Sequence, residues 1–286
     1  MPFRNIQFYI LLFFSLSVNA QRENYIKLPD QNITLYYEDV GSGNPIIFIP
    51  GWTMTTRFFS KQKEYFSKQY RFITFDPRSQ GESEKTPVGN SYDVHAQDLA
   101  EFIKLLKLKN VVLVGWSSGC ITMFEYLKQF GTENIKQVFF IDETPKWIGD
   151  SENEWVYGNF DDYRSSLLGL TRSRTRDAVG TVNWMLQNPV SDNDKEWMIN
   201  DMLKTPNYAA LSLYIDGLAS NYIDVVKHIK TPFKSAFFLR DSWYGKASLW
   251  LNKEAPSYNT VAITSHAMFW EKPKKFNQLL MSCLKE

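Results

Sequence analysis

Three runs are apolar at every position: Ile46-Ile47-Phe48-Ile49, Val111-Val112-Leu113-Val114 and Val138-Phe139-Phe140-Ile141. A strand with one wet face alternates apolar and polar residues, so strands apolar throughout belong inside a parallel sheet covered by helices. The chain between the runs fits that frame. A helix is expected over about 55–69, then a strand at Arg71-Phe72-Ile73-Thr74-Phe75. Val94, Leu99, Phe102, Ile103 and Leu106 recur at helical spacing, and 118–130 is again helical. Residues 24–39 read as a hairpin around Pro29-Asp30-Gln31-Asn32. Strands alternating with helices give an α/β fold, a mostly parallel sheet with helices on both faces.

The rhythm stops over 143–230, a tryptophan-bearing stretch that reads as helical and irregular. It resumes at Ser235-Ala236-Phe237-Phe238-Leu239 and Thr260-Val261-Ala262-Ile263, and a helix over about 273–284 closes the chain. The expected organisation is a core of 21–142 plus 231–286 with a helical cap, 143–230, inserted into it. Residues 1–20 hold one charge, Arg4, an apolar run and Val18-Asn19-Ala20 before Gln21. That is the pattern of a secretory signal, too short for a permanent span, so a periplasmic or secreted protein is expected. An uncleaved signal anchor is the alternative. Asn32-Ile33-Thr34 is a glycosylation acceptor only in a eukaryotic secretory host.

Composition removes several function classes. With 44% hydrophobic and 16% aromatic residues, the chain can bury a sizeable core. Lys plus Arg is 32 against 31 acidic residues, so no basic field exists for nucleic acid. Two cysteines, Cys120 and Cys283, exclude a disulfide-dense scaffold and a four-thiolate zinc site. Cys120 reads as a buried small apolar residue, and its pairing with Cys283 stays open. No metal cluster or phosphate-cradling loop is evident, so no cofactor is expected. Oligomeric state is not readable.

The chemistry concentrates at Gly115-Trp116-Ser117-Ser118-Gly119, between an apolar run and a helix. G-x-S-x-G in that context is a nucleophile elbow, a turn so tight that the serine is strained and exposed. A serine hydroxyl needs a base. Of three histidines, His266 follows the last strand, whereas His95 and His228 read as surface or capping residues. An acid at a strand end must orient the imidazole. Asp241, after the strand 235–239, is the expected acid, and Asp142, after 138–141, is its competitor. The oxyanion would be held by the backbone N–H groups of Ser118 and Trp52, the latter in the turn opened by Gly51.

Four segments together resemble the α/β-hydrolase family: Phe48-Ile49-Pro50-Gly51-Trp52, Phe75-Asp76-Pro77-Arg78-Ser79-Gln80-Gly81-Glu82-Ser83, the elbow, and Ser265-His266-Ala267-Met268-Phe269-Trp270-Glu271-Lys272-Pro273. The nearest look is to the branch of esterases, lactonases and cofactor-free haloperoxidases. Pro50 departs from the His-Gly usual in that oxyanion loop, and Ser118 stands where Met is frequent. The resemblance also implies that 143–230 roofs the site, and a serine nucleophile argues against the dehalogenase and epoxide-hydrolase branches. The expected activity is cleavage of a small or medium ester, thioester or lactone through an acyl-enzyme on Ser117. C–C bond hydrolysis and perhydrolysis use the same residues, and a non-catalytic binding protein is the alternative of another class. The cap aromatics suit an apolar or aromatic small-molecule substrate, unless they only pack the cap on the core.

Overall fold

The apolar runs lie side by side in the middle of one sheet. The computed structural model describes residues 24–151 and 154–286, and the expected export signal over 1–20 lies outside them. The strands are β1 (Asn24–Leu28), β2 (Ile33–Val40), β3 (Pro45–Ile49), β4 (Arg71–Phe75), β5 (Val111–Trp116), β6 (Ile135–Ile141), β7 (Ala236–Arg240) and β8 (Asn259–Ile263). Their order is β1-β2-β4-β3-β5-β6-β7-β8. Every pairing from β4 to β8 is parallel, while β1 with β2 and β2 with β4 are antiparallel.

The helices α1 (Ser60–Phe66), α2 (Tyr92–Leu105) and α3 (Gly119–Phe130) connect the first strands. The helix expected over 55–69 divides into a 3₁₀ turn, Thr56–Phe59, and α1. Between β6 and β7 lie α4 (Phe160–Arg172), α5 (Arg174–Met185), α6 (Asp192–Leu203), α7 (Asn207–Ala219) and α8 (Ile223–His228). Then α9 (Asp241–Glu254), α10 (Met268–Glu271) and α11 (Pro273–Cys283) complete the chain. Among the described residues no helix is long and apolar enough to cross a membrane.

The strands are apolar throughout because each face has its own core. Along β6, Val138 and Phe140 pack with residues of α2 and α3, whereas Phe139 and Ile141 pack with residues of α11. In β3 the same alternation separates Ile47 and Ile49 from Ile46 and Phe48. Fully burying one such side chain contributes about 1.5–3 kcal/mol, so a polar residue on either face is costly. His95, expected at a surface or cap, is buried in α2 instead. Burial and the nearby Arg78 push its imidazole down to about 3, which keeps it neutral. His228 is exposed at the end of α8, and both cysteines are buried and free.

All the parallel strands run toward one edge, and at that edge β3, β5 and β6 hand the chain to turns while β7 runs directly into α9. The closest approach is at Gly119, where a Cβ would lie 2.3 Å from the Ile49 carbonyl oxygen and 2.7 Å from that of Pro50. Both obstacles are backbone, so Gly119→Ala should destabilise by about 3 kcal/mol. Gly245 in α9 has open space around its missing Cβ. There the same change should stabilise by about 0.8 kcal/mol through helix propensity. Urea denaturation of both variants tests the contrast, and a Gly119→Ala midpoint equal to the parental one would contradict the packing described.

Candidate active site

The end of β5 is strained by design of its sequence. Ser117 has φ 54°, a left-handed conformation rare for a residue with a side chain. Its N–H donates to the Ile141 carbonyl at 2.9 Å, which fixes the turn against β6. A Cβ on Gly115 would meet the Cys120 nitrogen at 2.9 Å, so glycine is needed on both sides of the elbow. The helix α3 begins at once with Gly119.

The loop after β3 faces the elbow. Gly51 sits so close that a Cβ there would be 3.0 Å from the Ser117 Cβ. Thr53 also has positive φ, 60°, and its N–H donates to Gln80 Oε1 at 2.9 Å. Gln80 Nε2 donates to the carbonyls of Gly51 and Met54, so one side chain holds the loop at three points. Asp76 accepts from the N–H groups of Thr56 and Glu82, and burial, offset by those bonds, pushes its carboxyl up to about 6. Arg78 pairs with buried Asp98 of α2 at 2.6 Å. The segment from Asp76 to Ser83 is therefore the scaffold of the loop after β3. Among the described residues the N–H groups of Trp52 and Ser118 have no hydrogen-bond partner.

His266 follows β8 and is buried. Trp116 Nε1 donates to its carbonyl at 2.9 Å, and its Nδ1 lies 2.6 Å from Asp142 Oδ2. The acid at the imidazole is thus Asp142, not Asp241. The reason lies at the end of β7. Arg240 ends that strand with its N–H directed at Asp142 Oδ1, 3.0 Å away, and the chain then turns into α9 with Asp241 exposed in the first turn. A carboxylate suits that helix N-terminus. Asp142 instead leaves β6 with φ 52°, which aspartate tolerates better than most residues.

Burial would push the Asp142 carboxyl up, but His266 and Arg240 outweigh it and hold the group below its ordinary value. Burial lowers the His266 imidazole, Asp142 opposes the shift, and Arg240 adds to it. The base is therefore neutral at neutral pH. Ser117 and His266 line one cavity of about 520 Å³. Among the described residues neither Ser117 Oγ nor His266 Nε2 has a hydrogen-bond partner, so no bond joins them here. Such contacts are often long without substrate and tighten when it binds.

The segment between β6 and β7 supplies the other walls. Trp147, Tyr157, Tyr163 and Tyr214 line the cavity with Trp52, whose Nε1 donates to the Ala210 carbonyl of α7 at 2.9 Å. Trp184 of α5 lies with its ring 4.6 Å from that of His266. Among the described residues no group of His, Cys, Asp or Glu could hold a metal ion.

Sequence reasoning passed over Glu143. Its Oε1 accepts from the Thr144 N–H and from Trp147 Nε1, and Tyr157 donates to Oε2 at 3.4 Å. Burial pushes this carboxyl up from 4.5 to about 8. The folded chain then keeps a proton that the unfolded chain releases between those values. Stability from this group is greatest below about 4.5 and declines as pH rises toward about 8. Glu143→Gln cannot ionise, so it should gain stability relative to the parent as pH rises, by a few kcal/mol at pH ~9. Urea midpoints at pH ~5 and ~9 measure this, and an unchanged difference between the two chains at both would refute it.

A family model for the alpha/beta hydrolase fold matches residues 44–178. The AB hydrolase superfamily protein YisY of Bacillus subtilis is 27% identical over 269 residues, covering 90% of this chain and 97% of that one. A non-heme haloperoxidase of Rhodococcus erythropolis is 30% identical over 120 residues, which span 42% of this chain and 44% of that protein. Among solved structures, a bromoperoxidase of Bacillus anthracis superposes with a TM-score of 0.85 at 21% identity, covering 92% of this chain and 99% of that one. An esterase of Exiguobacterium antarcticum gives 0.83 at 22%, with the same coverage. The sheet order, the elbow and the histidine after β8 agree with these matches, and the chain has the alpha/beta hydrolase fold.

Proposed function

We propose that the protein is a serine hydrolase cleaving a small or medium ester, thioester or lactone. The observation that carries this reading is the 2.6 Å contact between His266 Nδ1 and Asp142, made in the cavity that a strained Ser117 also lines. The contact fixes the tautomer with the proton on Nδ1 and leaves the Nε2 lone pair free. Ser117 Oγ attacks the carbonyl carbon as its proton passes to Nε2. The oxyanion accepts from the N–H groups of Trp52 and Ser118. His266 then returns the proton to the leaving group, and water repeats the sequence on the acyl-enzyme.

The aromatic walls formed by Trp52, Trp147, Tyr163 and Tyr214 favour an apolar or aryl group on the substrate. The relative named as a haloperoxidase favours a second reading, in which hydrogen peroxide takes the place of water and a peracid leaves. In either reading the helices α4–α8 act as a cap. We also read residues 1–20 as an export signal, which places the reaction outside the cytoplasm.

Hydrolysis of an activated aryl ester tests the assignment. Ser117→Ala should lower kcat by about 10⁶. Asp142→Asn should cost about 10⁴, whereas Asp241→Asn should stay within about twofold of the parent, as a surface substitution does. Turnover by Ser117→Ala at the parental rate would end the reading. A fluorophosphonate that fails to label Ser117, while a ligand still raises the Tm, would favour a binding protein instead.

A further inference from the structure

Arg240 is the residue that stands where the sequence suggested an acid, and its side chain is only 11% exposed. Its backbone N–H donates to Asp142 Oδ1 at 3.0 Å and its Nη1 to Oδ2 at 2.7 Å. Oδ2 is also the oxygen that meets His266 Nδ1. Among the described residues, Arg240 and His266 are the donors to this carboxylate. The guanidinium carbon lies 3.5 Å from the centre of the Trp243 ring, and 5.2 and 5.4 Å from those of Trp184 and Tyr157. Nε donates to Ser242 Oγ at 3.1 Å.

We propose that Arg240 is a positioning residue for this site: it locks the Asp142 carboxylate in the orientation that receives His266 Nδ1–H, and its charge opposes the one that forms on the imidazole. The proposal rests on the serine-hydrolase reading given above. A carboxylate with a single histidine donor can rotate about its last torsion and lose the tautomer-fixing bond. With Oδ1 on a backbone N–H and Oδ2 on a guanidinium, rotation breaks two further bonds. Arginine suits the role because its planar fork can pair with a carboxylate and stack on an indole at once.

The charge has a separate consequence. Burial lowers the basicity of His266, Asp142 raises it and Arg240 lowers it again. The other charged groups nearby act from further out. Glu143 adjoins Asp142, Glu271 and Lys272 bond the side chains of Ser265 and Thr264, and Arg176 and Asp177 line the cavity. Arg240 therefore keeps the imidazole unprotonated, and so able to act as a base, to lower pH. Removing the cation should move the acid limb of the pH profile upward.

The experiment compares pH profiles of kcat and KM for p-nitrophenyl acetate between the parent, Arg240→Gln and Arg240→Lys, each corrected by active-site titration. Ser117→Ala is run alongside. Arg240→Gln should lose about 10- to 100-fold in kcat through misplacement, with KM little changed and the acid limb shifted to higher pH. Arg240→Lys should return the limb toward the parental position while recovering only part of kcat. A merely structural role would lower the Tm or the titre and leave kcat per site and the acid limb where they were, and that result overturns the proposal. Should Arg240→Gln not fold, Arg240→Lys decides alone, since parental kcat per site would show that the planar fork is not needed. An inactive Ser117→Ala beside an unaltered Arg240→Gln defeats this inference only, whereas an active Ser117→Ala defeats the hydrolase reading itself.

Discussion

A carboxylate with no exposed surface is tolerable only when other groups replace the water it has lost, because burying an unpaired charge costs several kcal/mol. Asp142 is in that position, and three groups from two elements answer it at once. The backbone and guanidinium of Arg240 come from the end of β7, and the imidazole of His266 comes from the loop after β8. The Asp142 N–H donates to the Phe238 carbonyl at 2.7 Å, which continues the pairing of β6 with β7 one step past the strand. Asp142 and Ser117 both have left-handed backbones, φ 52° and 54°, just past the ends of the neighbouring strands β6 and β5. The Ser117 N–H in turn is bonded to Ile141, the residue before Asp142.

The parallel core was legible because every buried strand carries two apolar faces, and the elbow because glycine is sterically required on both sides of Ser117. The acid was not. Asp142 and Asp241 both follow apolar strands, and sequence spacing cannot say which of two neighbouring chain ends turns toward the imidazole. The signal that could have decided it was Arg240. A cation buried at a strand end needs an anion nearby, and an aspartate one strand over is a better partner than the next residue in the chain, which is placed to begin a helix. Glu143 was missed for a related reason. An acidic residue after a strand reads as a turn former, and nothing local reveals that Trp147 and Tyr157 will fold back over it.

The helical insertion shows what local rules can and cannot carry. Asn159 and Asp162 form a reciprocal cap at the start of α4, and Ser173 and Ser191 cap α5 and α6. Those signals mark where helices begin, yet they say nothing about which way the aromatics face. Trp147 stacks on Tyr163 at 6.0 Å and contacts Tyr214 at 5.8 Å, so the same rings that pack the insertion together also line the cavity.

Two consecutive carboxyls therefore behave in opposite ways, and the difference is in their partners. Asp142 has a guanidinium and an imidazole, which favour its charge. Glu143, equally buried, has donors that are all neutral, namely the Thr144 N–H, the Trp147 indole and the Tyr157 hydroxyl. Its proton stays on at neutral pH while that of Asp142 is gone. With His266 neutral, the charges of Asp142 and Arg240 offset each other. In the proposed mechanism the proton that Ser117 gives to His266 leaves the opposite charge on the oxygen facing the Trp52 and Ser118 N–H groups, so the transfer leaves the total charge of the cavity unchanged.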